Sequence, residues 1–467
     1  RAFAAKLTTF DAVLRVFNPA ARQGGSTKVQ VFLLNGAGGL KRIRPNLPKY
    51  TQGFYVAMNE GVFAFAVDNE EMGKDDVLFH EYGHHFLLEN FPTAYPAWFV
   101  EGWAEYFMTV EIKGETIKVG GYNPARAYGI LDQTWLPLEQ VVSKTTAQIA
   151  PDRRNVYYAQ SWLLTHYMLS DTARARQLDK AIKDIAKGAA PVAALEAATG
   201  EPLRELTGKL RAYRRLQTVQ LTLKEPPAAD IRVSQLPASA DDLLLANQRL
   251  ILWQPGDVDG DFLADVRRKA AKYPGDWLAE RTLARAEFAT GDIAAGEAIM
   301  KRRLAANPND LEDLLLAGIG QIWAGGRVPA EREARYRAAR PMLGKAYQLD
   351  KSDFRTLTAY ALSRTTEDAY PSDNDLNVLM EARGLAPSVP ESSIRAGVAL
   401  ARRGRREEAE RVLAPVLNNP HAGEGVNELR RLLAAGKLGQ VDVTTRQETT
   451  GDEERVPPGE APPAPPR

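Results

Sequence analysis

Three of the five histidines of this 467-residue chain fall between positions 80 and 85, in the run Phe79-His80-Glu81-Tyr82-Gly83-His84-His85. His80, Glu81 and His84 form a His-Glu-x-x-His motif. On a helix, residues four apart share a face, so the imidazoles of His80 and His84 can converge on one metal ion, about 2.0–2.1 Å from each if it is zinc. Glu81 then stands beside the ion without ligating it, where a carboxylate takes a proton from a metal-activated water. At this histidine content, the motif arises by chance with a probability on the order of a few in a thousand. A catalytic zinc keeps three protein ligands and an open fourth position. The chain has no cysteine, which excludes thiolate ligands, so the third ligand must be His, Asp or Glu. We expect Glu101, on the element that follows.

The sequence here resembles the gluzincin clan of zinc metallopeptidases, which includes thermolysin and aminopeptidase N, and Trp98-Phe99-Val100-Glu101-Gly102-Trp103-Ala104 looks like the counterpart of the Trp-Leu-Asn-Glu-Gly-Phe-Ala stretch of the aminopeptidases. The resemblance covers about residues 50–170, and residues 85–100 separate the second histidine from the glutamate, slightly fewer than in aminopeptidase N. It implies a zincin-like fold, a Zn2+ ion on His80, His84 and Glu101, and peptide hydrolysis with Glu81 as general base. One turn after the ligand, Glu105 is placed to accept the outer N–H of a zinc-bound histidine, where thermolysin-like enzymes have an aspartate. Tyr158, in Tyr158-Ala159-Gln160-Ser161, looks like the oxyanion-stabilising tyrosine of the aminopeptidases, although the Lys and Gly of their Tyr-Glu-Lys-Gly are replaced. Tyr157 competes for the role, because neighbours on a helix differ by about 100° and only one can face the metal. The Gly-x-Met-Glu-Asn loop that anchors a free amine in those aminopeptidases does not occur, and Ala57-Met58-Asn59-Glu60 is a poor substitute, so an endopeptidase is the simpler expectation.

The elements that must position these groups are legible as hydrophobic patterns. Phe3, Leu7, Phe10, Val13, Leu14 and Phe17 recur at helical spacing. Residues 28–34 read as a strand, and 53–67 as a hairpin turning at Asn59-Glu60-Gly61. A helix from 75 to 90, capped by Asp75 or Asp76, carries the motif. After the Pro92–Pro96 loop, a second helix runs over 97–110 with Glu101 on it, a short β stretch turns at Gly114, and helices follow over 155–170 and 174–187. The strand at 61–67 is expected to bind substrate backbone as an added strand. The remaining histidines and arginines read more plainly. His85 is rotated away from the His84 face, His166 and His421 are packing residues, and Arg153 and Arg154 are candidates for holding a substrate carboxylate.

Length alone calls for more than one hydrophobic core. The sequence suggests an α+β fold: a zincin-like domain with a small, mostly antiparallel sheet and active-site helices over 1–215, an all-α helical-repeat domain over 216–437, and a disordered, Pro-rich tail over 438–467. Helical hairpins at about 277–308 and 391–420 resemble tetratricopeptide repeats, with 328–390 matching poorly; bacterial peptidase-MA-like proteins similarly join such a site to helical repeats. A peptide or protein is the expected substrate, and the repeats could recruit it or a protein partner. The net charge of +1 offers no field for nucleic acid, and Arg402–Arg406, followed by acidic residues, reads as a solvated helix face. No apolar stretch reaches the 18 or so residues of a membrane span. The sequence opens on Arg1; a protein whose leader had been removed would be periplasmic or secreted, and one without a leader cytoplasmic. Two rivals accompany the peptidase reading. One is a catalytically silent zincin-fold protein acting as a repeat scaffold, and the other a zinc sensor whose fourth position is closed by a moved His85.

Overall fold

The computed structural model describes residues 2–21, 27–47, 51, 53–67, 74–213, 215–224, 230–252, 258–419 and 424–443. The first helix, α1 (Ala2–Phe17), buries the apolar stripe read from its spacing, with Phe10, Val13 and Leu14 fully enclosed. It leads through β1 (Val29–Leu34) and α2 (Ala37–Ile43) to β2 (Gly53–Met58) and β3 (Gly61–Val67). The strand order is β1-β3-β2, with β3 parallel to β1 and antiparallel to β2. This overturns the expectation of substrate strand addition along 61–67. The α2 crossover brings β1 alongside β3, so the backbone hydrogen-bonding groups on both sides of β3 are already paired and none is left for a peptide.

The metal motif lies on α3 (Lys74–Asn90) and Glu101 on α4 (Ala97–Met108). Lys74, Asp75 and Asp76 are all helical, so neither aspartate is the N-cap of α3. A hairpin of β4 (Glu111–Lys113) and β5 (Thr116–Val119) turns at Gly114, whose φ of 60° suits glycine. Short helices α5 (Pro124–Leu131) and α6 (Leu138–Ser143) precede α7 (Arg154–Leu169), α8 (Thr172–Ala186), α9 (Pro191–Thr199) and α10 (Leu203–Ala212). The chain then returns as β6 (Val219–Thr222) to pair antiparallel with β5. One large core joins α1, α3, α4, α7 and the β4–β5 hairpin. Among the described residues three of the four strand pairings are antiparallel, and the architecture is mixed α and β with small sheets among many helices.

From Ala240 the described residues form helices: α11 (Ala240–Leu252), α12 (Gly260–Ala270), α13 (Trp277–Ala289), α14 (Ile293–Ala306), α15 (Leu311–Arg327), α16 (Arg332–Leu349), α17 (Phe354–Ser363), α18 (Asp373–Leu385), α19 (Pro390–Arg402), α20 (Arg406–Leu417) and α21 (Glu424–Ala434). Aspartate N-caps start several of them; Asp276, Asp292, Asp310 and Asp353 each accept backbone N–H groups of the first turn. The hairpins at 277–308 and 391–420 correspond to α13–α14 and α19–α20, and the poorly patterned stretch 328–390 is also helical.

These helices complete the sheet's surroundings. Ile251 and Leu252 of α11 join the cluster formed by Phe54, Val56, Phe63 and Phe65. Ala386 and Val389, between α18 and α19, pack on Ala57 and Val62. Ser388 donates to the Glu89 carboxylate of α3 at 2.8 Å, and Arg285 pairs with Glu60 at the β2–β3 turn. The segment expected to be disordered from 438 is packed as far as it is described: Leu438, Val441 and Val443 are buried, and the Arg402 guanidinium donates to the Gly439 and Val441 carbonyls. The remainder of that tail, 444–467, lies outside the described residues, as does His421. In the basic cluster, Arg405 and Arg406 pair with Glu408 and Glu410 on the same helix. Among the described residues no helix is long and apolar enough to cross a membrane.

Candidate metal centre

Helix α4 reads Ala-Trp-Phe-Val-Glu-Gly-Trp-Ala-Glu-Tyr-Phe-Met, and every one of its residues is buried. Glu101 and Glu105 are its two ionisable carboxylates. A carboxylate in such surroundings costs several kcal/mol unless positive charge or hydrogen bonds compensate it. Four residues apart, both lie on the side of α4 that meets α3.

There Glu101 Oε2 lies 3.6 Å from His80 Nε2 and 3.7 Å from His84 Nε2, while the two Nε2 atoms are 2.9 Å apart. These three separations define a circle of radius about 2.0 Å, so a point equidistant from the atoms lies at the bond length zinc makes to imidazole and carboxylate. His80, His84 and Glu101 are at most 4% exposed. Two imidazoles and one carboxylate are a nitrogen and oxygen donor set that zinc accepts, and they would leave its dipositive charge half neutralised. The residues present therefore fit the ion.

Glu81 follows His80 on α3 and is 1% exposed. Its charge reaches the Tyr55 phenol of β2, whose pKa is held well above its ordinary value, chiefly by burial and then by the carboxylates of Glu89 and Glu81. Glu105 places Oε1 3.4 Å from His80 Nδ1, on the ring edge opposite the Nε2 that faces Glu101. A carboxylate on that side of the ring is where a group fixing the histidine's tautomer would stand. Arg126, on α5, grips the same carboxylate with Nε at 3.1 Å from Oε2 and Nη2 at 2.9 Å from Oε1.

Helix α7 closes the site on the far side of α4. A Cβ on Gly102 would lie 2.1 Å from Thr165 Oγ1 and 2.4 Å from the Ser161 carbonyl oxygen. Only glycine lets the two helices approach this closely beside Glu101. The adjacent tyrosines of α7 part company as their 100° rotation requires. Tyr157 is fully buried and donates its hydroxyl to the Lys144 carbonyl at 2.9 Å; burial first and the Glu101 charge second raise its pKa well above the ordinary value. Tyr158 keeps 7% exposure and lies with its ring 4.8 Å from the Arg126 guanidinium carbon.

His85 points elsewhere, its Nδ1 3.0 Å from the Tyr55 hydroxyl. Burial lowers its pKa from the ordinary 6.5 to about 4, with Asp11 opposing the shift. Only the unfolded chain takes up this proton between those two values, so stability is lost as pH falls through that window and is unaffected by this group above it. The shift corresponds to about 3 kcal/mol. Denaturant unfolding of zinc-free protein at pH 7 and pH 4 should show that loss, and His85→Gln should reduce it by about that amount.

His166 is a packing residue, with Nε2 3.0 Å from the Gly120 carbonyl oxygen and Nδ1 3.0 Å from the Tyr213 hydroxyl. Arg153 donates to the Thr134 carbonyl, and Arg154 opens α7. Sequence reasoning missed Arg126 and its neighbour Asn155, which accepts from Arg126 Nη1 at 2.7 Å. The available signal was the second glutamate of an otherwise apolar helix, which calls for a cation from elsewhere in the chain.

Comparison with protein-family models, with curated proteins and with solved structures finds no match to this chain.

Proposed function

We propose that this chain is a zinc-dependent endopeptidase of the gluzincin type, similar to the peptidase-MA-like proteins. The observation that carries the reading is the convergence of His80 Nε2, His84 Nε2 and Glu101 Oε2 on one zinc-sized position, with the carboxylate-bearing residue Glu81 next to it in sequence and equally buried. His80, His84 and Glu101 would hold the ion, and Glu105 would keep the His80 ring oriented. A bound zinc ion supplies Lewis acidity, lowering the pKa of water toward 7 and polarising a carbonyl. Glu81 is the base that accepts the proton of the attacking water. The Tyr158 hydroxyl is the donor to the carbonyl oxygen as it becomes negative.

Tyr158→Phe is therefore expected to retain zinc and lower kcat by about 10²–10³-fold, the usual cost of one oxyanion donor. Steady-state kinetics together with metal analysis check this, and wild-type rates would move the role elsewhere. The helical second half, similar in its hairpins to tetratricopeptide repeats, would recruit the substrate or a protein partner. Digestion of a peptide library by wild type and Glu81→Gln tests the whole reading. Cleavage by the first and not the second supports it, whereas no cleavage by zinc-loaded wild type would favour the silent scaffold.

A further inference from the structure

Two carboxylates on one buried helix face, Glu101 and Glu105, both reach His80. Something must keep the second from behaving like the first, either by turning in to ligate the ion or by withdrawing from the imidazole. All three nitrogens of Arg126 bear on this point. Nε and Nη2 fork onto the two oxygens of Glu105, and Nη1 donates to Asn155 Oδ1 on α7. A two-point grip fixes the plane of a carboxylate as well as its distance, which a single point charge does not do. With both oxygens held, Oε1 is left 3.4 Å from His80 Nδ1, the ring atom that must carry hydrogen if Nε2 is to present its lone pair to a metal.

The same guanidinium lies over the Tyr158 ring at 4.8 Å, within the range of a cation–π contact. It reaches this place because α5 descends onto α7 at Gly129, where a Cβ would stand only 3.0 Å from Ala159 Cβ and 3.3 Å from the Asn155 carbonyl oxygen. Arg126 is itself largely enclosed, with 11% of its side chain exposed.

We propose that Arg126 is a positioning residue of the metal centre, acting through Glu105 to hold the His80 tautomer and ring in place while seating the Tyr158 ring with the same side chain. This rests on the zinc reading above. The guanidinium bonds to Glu105 and Asn155 rather than to the three donor side chains, so its effect on metal binding passes through Glu105 and is visible there as well as in turnover.

The test is the zinc dissociation constant, measured by competition with a chromophoric chelator for wild type, Arg126→Gln, Arg126→Lys, Glu105→Gln and the Arg126→Gln/Glu105→Gln double variant. Arg126→Gln is expected to weaken zinc binding by about 10–100-fold, as loss of a group behind a metal ligand commonly does. Arg126→Lys, with charge but no fork, should recover only part of the loss. The double variant should bind within about threefold of Glu105→Gln alone, because the two residues act as one unit. Wild-type affinity in Arg126→Gln, or losses that multiply in the double variant, would overturn the inference. Should the substitutions prevent folding, nitrogen-15 histidine spectra of zinc-loaded wild type decide the matter: His80 protonated on Nδ1 agrees, and His80 ligating through Nδ1 refutes. Wild type that binds no zinc would refute the zinc reading and the inference with it, whereas tight zinc binding indifferent to residue 126 would refute the inference alone.

Discussion

Glu81→Gln is expected to keep its zinc and to lose about 10²–10⁴-fold in peptide hydrolysis, the range supplied by a positioned general base. The substitution preserves side-chain size at a residue only 1% exposed, so packing on α3 is retained. What disappears is the ability to accept a proton, since an amide has no basic site at neutral pH. His80, His84 and Glu101 still meet at the same point, so metal content should match wild type. Paired metal analysis and single-turnover cleavage of a peptide check both halves of the statement. Unchanged turnover would remove Glu81 from the chemistry even if zinc were present.

Glu101→Ala is expected to abolish stoichiometric zinc binding, from about one ion per chain to less than about a tenth after dialysis, because a catalytic zinc site rests on three protein ligands. The Glu101 carboxylate is the sole oxygen donor of the triad, and its Oε2 lies almost equally far from both Nε2 atoms. His80→Ala should act in the same way. The loss has a second readout. Zinc at about a hundred times its dissociation constant stabilises a protein that binds it only when folded by about 2.7 kcal/mol, so wild type should melt at a higher temperature with zinc than without. Glu101→Ala should melt at one temperature under both conditions. A zinc-dependent shift that persisted in this variant would mean that the ion binds elsewhere.

The parts of this site that depend on local spacing were legible in the sequence, and the parts that depend on long-range placement were not. Residues four apart on α3 and on α4 must share a face whatever the remaining fold does, so spacing set His80 with His84 and Glu101 with Glu105, whereas joining the two pairs at one ion rested on the resemblance to the metallopeptidase stretch. The boundaries of α1, α3, α4 and α7 followed from their apolar periods to within a residue or two. By contrast, Arg126 lies 21 positions from Glu105, on a short helix with no motif, and nothing local marks it as the cation that the second buried glutamate requires.

Sheet order was hidden for a related reason. A hairpin pattern fixes β2 against β3, but whether β1 joins the outer edge of β2 or that of β3 depends on the path of the α2 crossover, and its choice removed the strand expected to receive substrate. The C-terminal segment shows the reverse case. Its polar composition suggested no packing, yet Leu438, Val441 and Val443 join the buried cluster formed with residues of α19, α20 and α21, and Arg402 holds the Gly439 and Val441 carbonyls. Average composition cannot detect three apolar residues placed where a neighbouring surface needs them.

X-ray absorption at the zinc edge of the loaded wild-type protein tests the central claim most directly. The expected spectrum is that of a four-coordinate shell of nitrogen and oxygen at about 2.0–2.1 Å, with the multiple scattering of two imidazoles. A shell containing three imidazoles, or one with no imidazole scattering, would contradict it.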